Sequence, residues 1–235
     1  MKKRYAEVGI GGRARMYYEA LVTNYSDINE LVAFCDQSRT RMDYANGVIE
    51  GLGGVRVPEY LPSEFEKMID ETKPDVIIVT SVDRSHDDYI VRAMEKGCDV
   101  ITEKPITTDE RRAQRIIDAA KRTGRHIRVA FNYRYAPYHT KMRELIRDGV
   151  IGTPFQVHFE WLLNTTHGAD YYRRWHSSKN NSGGLLVHKA THHFDLVNFW
   201  LADEPEKVSC PSSSVLGLPW RFIPFSMPFS SFWTP

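Results

Sequence analysis

Tyr5-Ala-Glu-Val-Gly-Ile-Gly-Gly-Arg-Ala-Arg15 decides the fold. A short apolar run halts at Gly9, and Gly11 and Ala14 complete the spacing G-x-G-x-x-A. A helix-compatible segment, Arg15 to Asn24, follows directly. Strand, glycine turn and helix in that order are what a dinucleotide pyrophosphate needs. Gly9 permits the sharp turn, Gly11 leaves room for a phosphate, and Ala14 lets the helix pack close to the strand. Backbone N–H groups from Gly11, Gly12 and Arg13 into the first helical turn then face the anion, helped by the helix dipole. The bland alternative is a glycine turn that binds nothing.

A second run counts against that alternative. Leu31-Val-Ala-Phe-Cys-Asp36 reads as a buried strand ending in an acid 22 residues after Ala14. An acid at about that distance holds the ribose hydroxyls of bound NAD. Asp36 repels a 2′-phosphate and favours NAD, whereas Arg39 is placed to accept that phosphate and admit NADP.

The 235-residue chain has room for one large domain or two modest ones. Its 42% hydrophobic content supports a core, and its net charge of +1 offers no field for nucleic acid or an anionic membrane. Cys35, Cys98 and Cys210 are widely spaced, two of them in or beside expected strands, and read as buried thiols in a reducing compartment, not a disulfide frame or a metal cluster. Neither a signal peptide nor a membrane span is visible, so a cytoplasmic enzyme is expected.

Strand and helix patterns alternate through residues 1–131. Pro58–Leu61 is a short third strand, and a helix runs from Ser63 or Glu64 to about Thr72. Asp75–Val79 is a continuous apolar strand, as parallel sheets require. Helix 86–96 closes at Gly97, strand 99–102 follows, and helix 109–122 closes at Gly124. Ile127–Phe131 is the sixth strand. The expected fold is α/β, a doubly wound Rossmann domain, followed by an incomplete α+β domain over 132–209. There, Tyr138–Asp148 reads as a helix, Phe155–Leu163 as an alternating strand, and Val187–Leu201 as one helix. Residues 210–235 break the pattern, with five prolines, six serines, four phenylalanines and Arg221 as the sole charge. A truncated or frame-disrupted C-terminus is expected from that break.

Ligands of such sheets bind beyond the carboxyl ends of the strands. That rule selects Gly9 to Ala14, Asp36, the stretch from Thr80 to His86, Glu103-Lys104-Pro105, and Asn132 to Tyr135 with Arg134 between them. A cleft lysine such as Lys104 can have its pKa lowered and can bond a substrate oxygen; the competing reading is an ordinary surface lysine. His188, Lys189, His192, His193 and Asp195 form a second cluster. On one helix, 188, 192 and 195 would share a stripe. His192 would be the general base, tuned by His188 and oriented by Asp195. His-x-x-x-His also suits zinc, but no third ligand follows, so no metal is expected.

Gly9-Ile-Gly11, Cys35-Asp36, Glu103-Lys104-Pro105, Tyr133-Arg134-Tyr135, Gly149-x-Ile151-Gly152 and Gly183-Gly184 with His192-x-x-Asp195 occur in that order. Over residues 4–208 the chain resembles the glucose–fructose oxidoreductase, inositol dehydrogenase and rhizopine-catabolism family (Gfo/Idh/MocA). The resemblance implies NAD or NADP in the first domain and a sugar, cyclitol or related polyol as substrate. It implies Lys104 beside the reacting carbinol and His192 as the base of an Asp-x-x-x-His pair, with Arg134, Tyr135 and Lys189 near substrate. It also implies a homo-oligomer, whose interface the family carries on a sheet that this chain departs from after about Val208. One position departs from the family pattern: the usual Asp of that pair is His188. Two rival functions share the fold, an NAD-using glycosidase and a non-catalytic dinucleotide-binding protein.

Overall fold

The computed structural model describes residues 1–207, so the aromatic tail from Cys210 lies outside the described residues. Six strands form one sheet: β1 Lys3–Val8, β2 Asn29–Cys35, β3 Glu59–Tyr60, β4 Val76–Val79, β5 Asp99–Thr102 and β6 Ile127–Val129. Their order is β3-β2-β1-β4-β5-β6, every pair parallel. Strand order reverses between β1 and β4, which opens a crevice at the carboxyl end of β1.

Alternation along each strand sorts the core onto two faces. Ile77 and Val79 of β4 join Phe65 and Met68 of α3 (Phe65–Thr72), Ile90 and Met94 of α4 (His86–Glu95), and Ile116 and Ala119 of α5 (Glu110–Thr123). Ile78 points the other way, toward Tyr18 and Leu21 of α1 (Arg15–Val22) and Met42, Ala45 and Ile49 of α2 (Arg39–Gly51). Each of the Val, Leu, Ile, Phe and Met side chains among them contributes about 1.5–3 kcal/mol when fully buried. The thiols of Cys35 and Cys98 are buried and free, and burial pushes them up to about 12 and about 11.

Helix α2 is not singled out by the sequence patterns. Its buried positions, Met42, Ala45, Asn46 and Ile49, have helical spacing, but Asn46 interrupts the apolar stripe. The structure uses that amide: Asn46 Nδ2 donates to the Val57 carbonyl at 3.0 Å, and Asn46 Oδ1 accepts from Val57 N–H at 2.9 Å.

The described residues divide into two compact units, one of 1–131 with 160–192 and the other of 132–159 with 193–207. In the first unit, residues 160–192 form short helical turns, α7 Thr165–Gly168, α8 Asp170–Arg173, α9 Lys179–Ser182 and α10 Leu185–His188. They dock on the sheet domain; a Cβ at Gly183 would lie 2.8 Å from the Thr108 carbonyl oxygen. The second unit contains α6 (Pro137–Arg147) and most of α11 (Thr191–Leu201). There Trp200 packs on His139 and Phe159, with ring centroids 5.3 and 5.9 Å away.

Two expectations fail here. Residues 155–163 form no strand, because every strand among the described residues belongs to the six-stranded sheet and their alternation has no ladder partner. The single helix expected over 187–201 is two pieces, α10 and α11, with a break at Lys189-Ala190. His188 therefore ends one helical turn while His192 and Asp195 lie on the next helix, and the three share no continuous stripe.

Candidate functional site

The glycine turn is pinned from below and open above. Gly9 adopts φ +87°, and a Cβ there would fall 2.4 Å from Ser81 N and Cα. Thr80 Oγ1 donates to the Gly9 carbonyl at 2.8 Å, holding the ends of β1 and β4 together. Ala14 is fully buried against the α1–α2 face. At Gly11 and Gly12, by contrast, a Cβ would meet nothing within 4 Å. Gly11 N–H donates back to Gly9 and Ala14 N–H to Gly11, whereas no hydrogen bond among the described residues takes the N–H groups of Gly12 or Arg13. Open space over a glycine, rimmed by available amides, fits a phosphate group.

Asp36 is buried at the end of β2, and both its oxygens are engaged. Ile10 N–H donates to Oδ2 at 2.6 Å and Ser38 N–H to Oδ1 at 2.7 Å. The acid braces the glycine turn, and its remaining lone pairs are what a ribose would use. Arg39 is exposed at the first turn of α2, behind the Ser38 cap.

Glu103 and Lys104, after β5, face two different partners. Glu103 Oε1 accepts from Arg13 Nε at 2.6 Å and from Tyr17 Oη at 2.8 Å, tying this loop to the glycine turn. Burial, then the Glu103 carboxylate, drives the Tyr17 phenol upward. Lys104 Nζ donates to the His188 carbonyl at 3.0 Å. Burial pulls the Lys104 ammonium down to about 8 against the opposing pull of Asp83 and Glu103. The peptide between Lys104 and Pro105 is cis. His86, expected among the cofactor contacts, is fully buried with its ring nitrogens 2.9 Å from the Pro105 carbonyl and 3.0 Å from that of Ser81. It is a post between two loops, and neither nitrogen is left to face a ligand.

The sequence reading missed Asp83, although it lies within the flagged stretch from Thr80 to His86. Its Oδ2 sits 2.5 Å from His188 Nδ1, and both side chains are buried. Burial drives His188 down to about 3 and raises Asp83 to about 7, the latter opposed by His86 and Lys104. Both shifts favour the uncharged forms, so the 2.5 Å contact carries one proton, on the Asp83 carboxyl below about pH 7 and on His188 Nδ1 above it. His188 also lines a cavity of about 190 Å³ with Tyr171, Tyr172, His176 and Lys179. His176 packs against it at 4.7 Å, and the rings of Tyr171 and Trp175 meet it edge-on at 5.5 and 5.6 Å. Lys189 is buried with its ammonium 5.9 Å from the Trp161 ring. His192 is buried with its ring 6.1 Å from Phe131.

Asp195, expected to orient His192, is taken by a different group. The Arg134 guanidinium grips both its oxygens, Nε on Oδ2 at 2.7 Å and Nη2 on Oδ1. A bidentate pair of this kind is strong and geometrically fixed. Burial nevertheless pushes the Asp195 carboxyl up against the pull of Arg134. Arg134 itself lies 5.2 Å over the Phe199 ring, so the guanidinium expected to meet substrate is committed inside its unit. Tyr135 is exposed.

A parallel sheet with this crevice and this turn defines a dinucleotide-binding α/β protein. The comparisons with known proteins narrow that class. Residues 3–131 match the oxidoreductase family model with an NAD-binding Rossmann fold, and residues 143–213 match that family's C-terminal alpha/beta domain. The chain belongs to the Gfo/Idh/MocA oxidoreductase family. YteT of Bacillus subtilis, named as an oxidoreductase, is 41% identical over 201 residues, covering 85% of this chain and 46% of that protein. D-glucoside 3-dehydrogenase of Escherichia coli is 31% identical over 149 residues, 63% of this chain and 40% of the relative. The chain thus spans under half the length of either. In fold, it is similar to scyllo-inositol dehydrogenase from Lactobacillus casei, solved with bound NAD(H) and scyllo-inositol. The TM-score is 0.73 at 20% identity, covering 86% of this chain and 57% of that one. No helix among the described residues is long and apolar enough to cross a membrane.

Proposed function

We propose that this chain is the dinucleotide-binding part of an oxidoreductase that moves a hydride between a secondary alcohol of a sugar or cyclitol and a nicotinamide. One observation carries the reading: adjacent residues serve the glycine turn and the proton-handling cluster. Glu103 grips Arg13 of the turn, while Lys104 places a cation against the segment that holds His188. The names of the relatives, a D-glucoside dehydrogenase and inositol dehydrogenases, support the substrate class.

The N–H groups of Gly12 and Arg13 would hold a pyrophosphate, and Asp36 the adenosine ribose. A bound NAD supplies a hydride acceptor; NAD is preferred to NADP because Asp36 repels a 2′-phosphate. Lys104, with two N–H donors beyond its bond to His188, stabilises the charge that develops on the substrate oxygen. A neutral histidine of the 188–192 segment takes the hydroxyl proton.

The experiment is a panel of polyols and sugars with NAD and NADP, read as growth of the reduced-nicotinamide absorbance. Lys104→Met is expected to abolish turnover while dinucleotide affinity, measured by calorimetry, stays within a few-fold. Loss of both together would show that Lys104 serves the cofactor and would remove the proposed chemistry from it. Release of sugar without net cofactor reduction would point to the glycosidase alternative.

A further inference from the structure

We infer that Asp83 and His188 form the proton-transferring pair of this site, with His188 as the base that meets substrate and Asp83 as its positioning residue. The proposal rests on the hydride-transfer reading above and changes which side chains carry its proton.

The family resemblance expects a carboxylate at position 188 to serve His192, yet an imidazole stands there. The structure supplies a carboxylate from elsewhere. Asp83 begins the one-turn 3-10 segment between β4 and α4, and its oxygen meets His188 Nδ1 at 2.5 Å. Sequence separation of 105 residues makes this a tertiary contact, built by docking α10 onto the loop after β4. Three further observations fit a working pair. Both side chains are more than nine-tenths buried, so the bond is sheltered from water. Lys104 fixes the backbone of His188 itself through its carbonyl, so the ring is anchored at two points. The cavity of about 190 Å³ is lined by His188, and the Nδ1 bond leaves Nε2 as the ring nitrogen able to accept a proton.

The groups facing the pair are Lys104, Glu103 and His86 from the sheet domain and His176 and Lys189 from the docked segment. Burial is the larger influence on Asp83 and raises it to about 7, against His86 and Lys104; above that pH the carboxyl is ionised and the shared proton sits on Nδ1. In the step itself, the substrate O–H bond breaks and its proton passes to His188 Nε2. The carbinol C–H electron pair leaves as hydride to the nicotinamide dinucleotide, and the oxygen lone pair closes the C=O bond. Asp83 accepts no proton; it orients the ring and stabilises the imidazolium that forms.

The test uses the full chain with NADH bound and carries two readouts. With ¹⁵N-histidine labelling, His188 is expected to show a far-downfield Nδ1 proton at pH 8, where Asp83 is ionised. That proton should vanish in Asp83→Asn, while the thermal midpoint and NAD affinity stay near wild type. With whichever polyol of the panel reduces NAD, Asp83→Asn is expected to lower kcat about 10²–10⁴-fold with little change in KM. The acid limb of the profile, expected near pH 7, should move. Asp83→Glu should restore part of the rate, and His188→Gln should lose more than His192→Gln. A His188 proton on Nε2 at pH 8, an unmoved pH profile in Asp83→Asn, or a larger loss from His192→Gln would overturn the assignment. If no polyol is turned over, the hydride-transfer reading fails, and the nitrogen spectrum alone still decides whether the pair exists.

Discussion

Gly9 and Gly11, two residues apart, should fail in opposite ways when each gains one methyl group. At Gly9 the backbone sits at φ +87°, where an L side chain costs roughly 1–2 kcal/mol. The added Cβ would also lie 2.4 Å from Ser81 N and Cα, atoms of a strand end that cannot rotate away. Overpacking of that kind adds about 1–3 kcal/mol. Gly9→Ala should therefore lose about 2–5 kcal/mol, a large part of the ~5–15 kcal/mol that holds a domain together. At roughly 2–4 °C per kcal/mol for a chain of this size, its melting midpoint should fall by about 4–20 °C. At Gly11 the same methyl meets nothing within 4 Å, so stability should stay within about 0.5 kcal/mol. The methyl instead occupies the space assigned to a phosphate. Loss of one charge-assisted hydrogen bond, about 1.5–3 kcal/mol, weakens NAD roughly 10–150-fold. Thermal melting followed by circular dichroism, with calorimetric titration of NAD, separates the two. Equal melting of the two variants, or unchanged NAD affinity in Gly11→Ala, would refute the assignment of that space to a pyrophosphate.

Glu7 is fully buried in β1 with Thr80 Oγ1 3.5 Å away, and burial raises its pKa well above the ordinary carboxylate range. The unfolded chain therefore releases this proton first, and stability falls as pH rises from the unfolded value toward the folded one. Glu7→Gln should flatten that slope and stabilise the protein by about 1–3 kcal/mol at pH 8, with a smaller effect at pH 4; urea melts at both values check it. Asp87, also fully buried, is held by Arg112 at 2.7 Å and Arg115 at 2.6 Å, joining α4 to α5. Removing both guanidiniums should cost about 2–3 kcal/mol, below a fully enclosed pair because both arginines touch solvent. Asp87→Asn added to that double variant should recover part of the loss in the same urea assay. Lys104, held down to about 8, should impose an alkaline limb near that pH on kcat, and Lys104→Arg should move it upward where turnover survives.

The sheet was legible because its strands are continuous runs such as Val76–Val79, and only parallel strands covered on both faces tolerate them. The glycine turn was legible because Gly9 must be glycine, at φ +87° against the Ser81 backbone, and Ala14 must be small where it is fully buried. Helix α2 was hidden by one polar residue on its buried face, Asn46, whose amide bonds to Val57 are long-range in a way no periodicity displays. The chemistry was harder for the same reason. Helical spacing grouped His188, His192 and Asp195, but the break at Lys189-Ala190 dissolves that stripe, and Arg134, 61 residues upstream, claims the carboxylate. Asp83 carried only its position after a strand as a signal; its partner lies 105 residues on.

The order Glu103-Lys104 has a physical logic of its own. Two neighbouring side chains leaving a strand end point to opposite sides, so one loop can reach two elements at once. Glu103 closes on Arg13 and Tyr17, fixing the glycine turn, and Lys104 closes on the His188 carbonyl, fixing the imidazole. Reaction geometry tolerates only about half an ångström of drift between such groups. With both contacts rooted in consecutive residues, the turn assigned to the pyrophosphate and the proposed proton acceptor share one anchor. Loosening Glu103 should therefore degrade both: Glu103→Ala is expected to weaken NAD binding and to broaden the His188 Nδ1 proton signal together. A loss confined to NAD binding would mean that the two halves of the site are positioned independently.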